Sequence, residues 1–126
     1  MEVVAFDELE DDQRIPLLEE LGVPCVVVSS NEPDDTVGRL ISSSTETVEL
    51  LLDHLAGLGH TDIAHISGPF TFIHERLRVQ TLLEQAGRRG MTVRHIEGSY
   101  RYDDGAELTR RLLTGPNPPT AIVLGN

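Results

Sequence analysis

At 126 residues the chain is sized for one domain or parts of two, with room for a single core of useful size. Its 39% apolar content, with 4% aromatic residues and no tryptophan, suits an aliphatic α/β core and excludes an aromatic-rich small barrel or a disordered chain. Ten basic residues, all arginine, against 21 acidic ones give a net charge of -11, which repels a phosphate backbone and argues against nucleic-acid binding by these residues alone.

Short β-branched runs alternate with segments of helical period, the pattern of parallel strands joined by crossover helices. Residues 3–6 read as the first strand, inside an acidic stretch: residues 1–35 carry eleven acids against Arg14 alone. Asp11 or Asp12 is placed to cap a helix whose Ile15, Leu18 and Leu21 share one side and which stops at Gly22, before Pro24. Residues 25–28 follow as a strand. It contains Cys25, the only cysteine, so no internal disulfide can form and the thiol is expected in the core. Residues 29–38 are polar, with Asn31, Pro33 and two aspartates, and read as a surface loop before a short extended piece at 39–42.

From Ser44 a helix carries Val48, Leu51, Leu52, Leu55 and Leu58 on one face and is ended by Gly57 and Gly59. Residues 63–66 form a strand, Ser67-Gly68-Pro69 a tight turn, and residues 73–88 a helix with Ile73, Leu77, Leu82, Leu83 and Ala86 expected inside. A further strand lies at 93–96. Asp103 or Asp104 can cap a helix running to Leu113, and Pro116, Pro118 and Pro119 bar its continuation before a strand at 120–124. Residues 121–124 read as a buried parallel strand, which usually carries a covering helix after it. No run reaches the roughly 18 apolar residues of a membrane span, and no signal-peptide pattern follows Met1. A soluble, cytoplasmic protein without a membrane partner is the expectation.

Ligands in open α/β sheets bind beyond the carboxyl ends of the strands, which makes Asp7, Ser29, the turns at 67–72 and 98–100, and Asn126 the first candidates. The five histidines form no i, i+4 pair, so no metal site is expected. His60, between helix and strand, suits a structural hydrogen bond. The segment GLGHTD at 57–62 fails the dinucleotide fingerprint, since Asp62 replaces its third glycine and the order of elements is helix to strand. There is no GxxxxGK[ST] loop and no GxSxG frame, so neither a cofactor nor a catalytic residue is assigned.

The stretch HLAGLGHTDIAHISGP at 54–69 resembles the HLxxLGHxxIAxIxGP signature of the lactose/galactose-repressor family of transcription regulators. The likeness continues through Arg76-Leu77-Arg78, the EQAG at 84–87 and the PTAIVLGN at 119–126, which is similar to the family's PTAIxxxN. Gly22-Val23-Pro24 and the loop near Asn31 also fit. In that family a DNA-reading helix-turn-helix precedes a two-lobed effector-binding domain similar to periplasmic sugar-binding proteins. The resemblance implies a partial two-lobed, type I periplasmic-binding-protein-like α/β fold, with parallel sheets flanked by helices. Residues 1–42 would be the C-terminal part of the first lobe and 43–126 the N-terminal half of the second, with no helix-turn-helix among them. It further implies a non-enzymatic homodimer that binds a small-molecule effector, a sugar or sugar derivative, and touches operator DNA only through the helix-turn-helix. A transport-type sugar-binding protein is disfavoured by the LGH signature and the lack of an export signal. A doubly wound α/β enzyme is disfavoured by the missing catalytic motifs.

By the same resemblance Arg78 matches the arginine whose guanidinium holds effector oxygens, against the alternative of a solvated helical arginine; Arg76 is its neighbour. Asn126 matches the family's amide at the end of PTAIxxxN. Tyr100 lies where the family often carries an aromatic that stacks on the ligand, and Phe72 and His74 are placed to line the same cleft. Asp7 can supply a polar contact or be a solvated charge. Ser29 stands where many members have an acid, and Thr81 where glycine is common, which leaves the effector's identity open.

Overall fold

The computed structural model describes residues 3–6, 9, 11–29, 38–41 and 45–125, with side chains for 9, 11–27 and 45–125. Two three-stranded sheets organise them, in the orders β1-β2-β3 and β5-β4-β6, and every pairing is parallel.

The first sheet comprises β1 (Val3–Phe6), β2 (Cys25–Ser29) and β3 (Gly38–Ile41), with α1 (Arg14–Glu20) between β1 and β2. Ile15 of α1 packs on Val27, and Cys25 lies half-buried beside them rather than inside the core as expected. Asp12 is not the cap residue itself. Gln13 occupies that position, while the Asp12 carboxylate accepts the Arg14 N–H at 3.1 Å and the Leu9 N–H at 3.2 Å. Leu21, expected on the core side, is 65% exposed because the helix stops one residue before it and the chain turns away through Gly22 at φ 67°.

The second sheet comprises β4 (Asp62–Ser67), β5 (Thr92–Glu97) and β6 (Ala121–Leu124). Around it lie α2 (Thr45–Gly57), α3 (Ile73–Arg88) and α4 (Tyr102–Thr114). Strand alternation sorts its faces. Ile63, Val93, Ala121 and Val123 meet Val48 and Leu52 of α2, Leu82 and Ala86 of α3, and Met91, forming the main core. Ile66 and Leu124 point to the other face, toward α4. This sidedness follows from the strand order. The β4-to-β5 and β5-to-β6 connections run in opposite directions across the sheet, so right-handed crossovers put α3 and α4 on opposite faces.

Three expectations are corrected by where helices end or rotate. Leu58 follows the last turn of α2 and is largely exposed, as the chain leaves through Gly59 at φ 90°. The buried side of α3 runs Glu75, Val79, Leu82 and Ala86, which leaves Leu83 exposed and Ile73 and Leu77 half-buried. Asp103 and Asp104 stand in the first turn of α4, where negative charge suits the helix dipole, and Arg101 takes the cap position. The 121–124 strand is not buried: among the described residues β6 pairs with β4 alone, and Leu124 is 59% exposed.

Candidate functional site

Where β4 and β6 end, four backbone and side-chain groups converge on one carboxylate. Glu75 is the third residue of α3, where the helix N-terminus favours negative charge, and it is 0% exposed. Its Oε2 accepts the Gly68 N–H at 2.9 Å from the turn after β4. Its Oε1 accepts Arg78 Nη1 at 3.0 Å and the Tyr100 hydroxyl, while His74 Nε2 lies 3.4 Å away. Arg78 Nη1 also donates to the Gly125 carbonyl just past β6, at 3.0 Å. One guanidinium nitrogen therefore ties the start of α3 to the end of β6.

Close backbone approach makes this convergence possible. A Cβ on Gly68 would fall 2.2 Å from the Tyr100 ring, and one on Gly125 would fall 3.0 Å from Gly68 N and 3.1 Å from Glu75 Oε2. A side chain at Gly68 would have to displace the Tyr100 ring, and one at Gly125 would crowd the Gly68 backbone and the Glu75 carboxylate. Tyr100 takes the left-handed conformation, φ 68°, at a cost of order 1 kcal/mol or more. That backbone brings its ring over Gly68 and its hydroxyl to Glu75, with His74 Nε2 at 3.0 Å. Phe72 completes an aromatic group, with ring centroids 5.6 Å from both His74 and Tyr100. Its backbone also bridges to Leu9, which links the start of α3 to the segment after β1.

A second polar group lies behind this one, on the face of the sheet shared with α3. His65 is fully buried and its Nδ1–H donates to the Val123 carbonyl at 2.9 Å, leaving Nε2 without a partner among the described residues. Burial holds its pKa below the ordinary value, so the neutral ring is favoured. Across the strand pair His95 lies 2.7 Å from Ser67 Oγ, with Phe70 stacked on its ring at 4.8 Å and 6°. Ser67 Oγ also lies 2.9 Å from the Gly68 carbonyl, within donating distance. Burial also lowers the pKa of His95.

On the α4 side, a cavity of about 610 Å³ opens between the strand ends and the helix; its lining includes Ile66, Gly68, Tyr100, Tyr102, Leu113 and Leu124. Its size falls in the small-molecule range of roughly 300–1,000 Å³. Gly68 and Tyr100 belong both to its wall and to the Glu75 network.

No protein-family model matches the chain. The ribose operon repressor of Escherichia coli is 31% identical over 82% of this chain and 32% of its own length. A Bacillus subtilis protein named probable HTH-type transcriptional repressor ExuR is 29% identical over 92% of this chain and 36% of its own. Among solved structures, a LacI family transcriptional regulator from Bifidobacterium animalis subsp. lactis superposes with a TM-score of 0.86 at 28% identity, over 98% of this chain and 46% of that one. A LacI transcriptional regulator from a Rhodococcus species gives 0.83 at 30%, over 99% and 47%. Over most of its length the chain matches part of LacI-family transcription regulators.

It spans about a third of the curated LacI-family relatives it matches and just under half of the solved ones. These relatives are regulators, not enzymes, and no described helix is long and apolar enough to cross a membrane. Of the candidate site residues, Arg78, Tyr100, Phe72 and His74 are brought together around Glu75. Asp7 and Asn126 lie outside the described residues, and for Ser29 only the backbone at the end of β2 is described. His60 makes the expected kind of bond, Nδ1 to Thr120 Oγ1 at 2.9 Å.

Sequence reasoning missed Glu75, although its place three residues before Arg78 puts the two on one helical face. The Ser67–His95 pair carried no such local signal, because 28 residues separate partners that only strand register joins.

Proposed function

We propose that this chain is part of the effector-binding domain of a LacI-type regulator, residues 1–42 contributing to the first lobe and 43–126 to the second. Its role is binding rather than catalysis. A sugar or sugar derivative is held between the lobes of a cytoplasmic homodimer, and its binding alters the affinity of a helix-turn-helix outside these residues for operator DNA. Effector and operator then change each other's affinity by the same factor. The observation that carries this reading is the meeting of Arg78 and Tyr100 on the Glu75 carboxylate where β4 and β6 end, Tyr100 also lining the 610 Å³ cavity. Phe72 and His74 serve as aromatic walls, and Asp7, Ser29 and Asn126 as further polar contacts.

The test is Arg78→Gln in the full-length regulator, because glutamine can still donate to Glu75 and Gly125 while losing the planar fork. A panel of neutral aldoses, their uronates and their phosphates is screened by calorimetry, and operator affinity without sugar is followed by fluorescence anisotropy. The best ligand should weaken by about tenfold to a hundredfold, the loss of a charged hydrogen bond worth roughly 1.5–3 kcal/mol, with operator affinity unchanged. Unaltered sugar affinity rejects the assignment of Arg78.

A further inference from the structure

The positive charge of Arg78 is balanced from within its own helix. Glu75 is completely buried, lies 3.0 Å from Arg78 Nη1 and receives further hydrogen bonds from Gly68 N–H and the Tyr100 hydroxyl. We infer that the ligand of this site is an uncharged polyhydroxyl compound, and that Glu75 is the positioning residue that sets this preference over carboxylated or phosphorylated sugars. The inference rests on the binding site proposed above.

Competing distances set the preference. The guanidinium is about a third exposed, and both of its bonds to described residues leave from Nη1, out of five donors in the fork. A ligand oxygen on the outer donors would sit about 3 Å from the guanidinium and roughly 5 Å from the Glu75 carboxylate, so Coulomb repulsion cancels more than half of an anion's attraction. An anion must still shed its water to enter. A hydroxyl meets the same donors with no repulsion and a much smaller desolvation cost.

Surrounding charges do not restore an anion site. Arg101 and Arg110 line the cavity on the α4 side, but Arg110 is paired with Glu107, and Asp103 and Asp104 stand in the first turn of the same helix. At the end of β5, Glu97 accepts the Phe70 N–H and adds another acid near the strand ends. Tyr100 supplies a ring held in place by Gly68 and Glu75, which suits the apolar face of a sugar.

The experiment uses the same panel of neutral aldoses, matched uronates and phosphates on wild-type protein, Glu75→Gln and Arg78→Gln. Wild type should prefer the neutral sugar over its matched acid by about tenfold or more. Glu75→Gln, isosteric but uncharged, should narrow or reverse that ratio by about tenfold, mainly by tightening the acid, and the acid's new binding should weaken with salt. Wild-type preference for the acid or phosphate overturns the inference, and this ratio requires no variant to fold. An unchanged ratio in Glu75→Gln, with sugar binding lost in Arg78→Gln, overturns the role of Glu75 while the site stands. Sugar binding untouched by both substitutions overturns the site itself, and no binding by any member of the panel overturns the polyhydroxyl class.

Discussion

Glu75 and Arg78, one turn apart on α3, meet at 3.0 Å where β4 and β6 end, and the pair joins the helix to both strands through Gly68 and Gly125. Truncating the carboxylate should therefore unsettle the fold as well as the site. Glu75→Ala is expected to destabilise by about 2–3 kcal/mol, below the full cost of breaking a buried ion pair because Arg78 is partly solvated. Tyr100→Phe, which removes one donor to the same oxygen, should cost about 1 kcal/mol. Urea unfolding of both variants checks the order.

Glycine positions should divide sharply. Gly68→Ala must displace the Tyr100 ring, so a loss of near-ultraviolet dichroism and weaker sugar binding are expected. Gly87→Ala lies in α3 with nothing within 4 Å of the new methyl, and should instead stabilise by about 0.5–1 kcal/mol. Equal effects at the two positions would contradict the packing described for Tyr100.

In the core, Leu52 is 0% exposed between α2 and the second sheet, while Leu50, two residues earlier on the same helix, is 73% exposed. Leu52→Ala should cost about 2–5 kcal/mol and Leu50→Ala less than about 0.5 kcal/mol. Thermal melts of the two variants measure the contrast.

Acid should weaken the fold in two steps. His65 and His95 titrate below 6.5 in the folded protein, so the unfolded chain binds more protons as pH falls through that value. Stability is then full above about 6.5 and declines below it. Asp12, lowered from 3.8 to about 2 first by its bond with Arg14, adds stability that is present above 3.8 and lost as pH falls toward 2. Chemical denaturation between pH 8 and 3 should show the first decline, and His95→Gln should flatten part of it. A stability that rises from pH 7 to 5 would reject the histidine assignment.

The sequence by itself determined the alternation of strands and helices, because hydrophobic period and helix-ending glycines are local signals; α3 occupies the span 73–88 read from them. The repressor signature at 54–69 and the arginine at 78 were legible for the same reason. Helix rotation was less so: Leu83 fits an apolar face by spacing, but the sheet lies against Glu75, Val79, Leu82 and Ala86. Only tertiary structure decided that an acidic side chain would be the most buried group of the candidate site. Carboxylates are costly to bury, and a sequence reading leaves them outside. Glu75 is inside because strand ends 57 residues apart deliver Gly68 and, through Arg78, Gly125 to one carboxylate, and the left-handed turn at Tyr100 adds a third donor. Such convergence has no period and no local spacing; it exists only once parallel register brings the ends of β4 and β6 together.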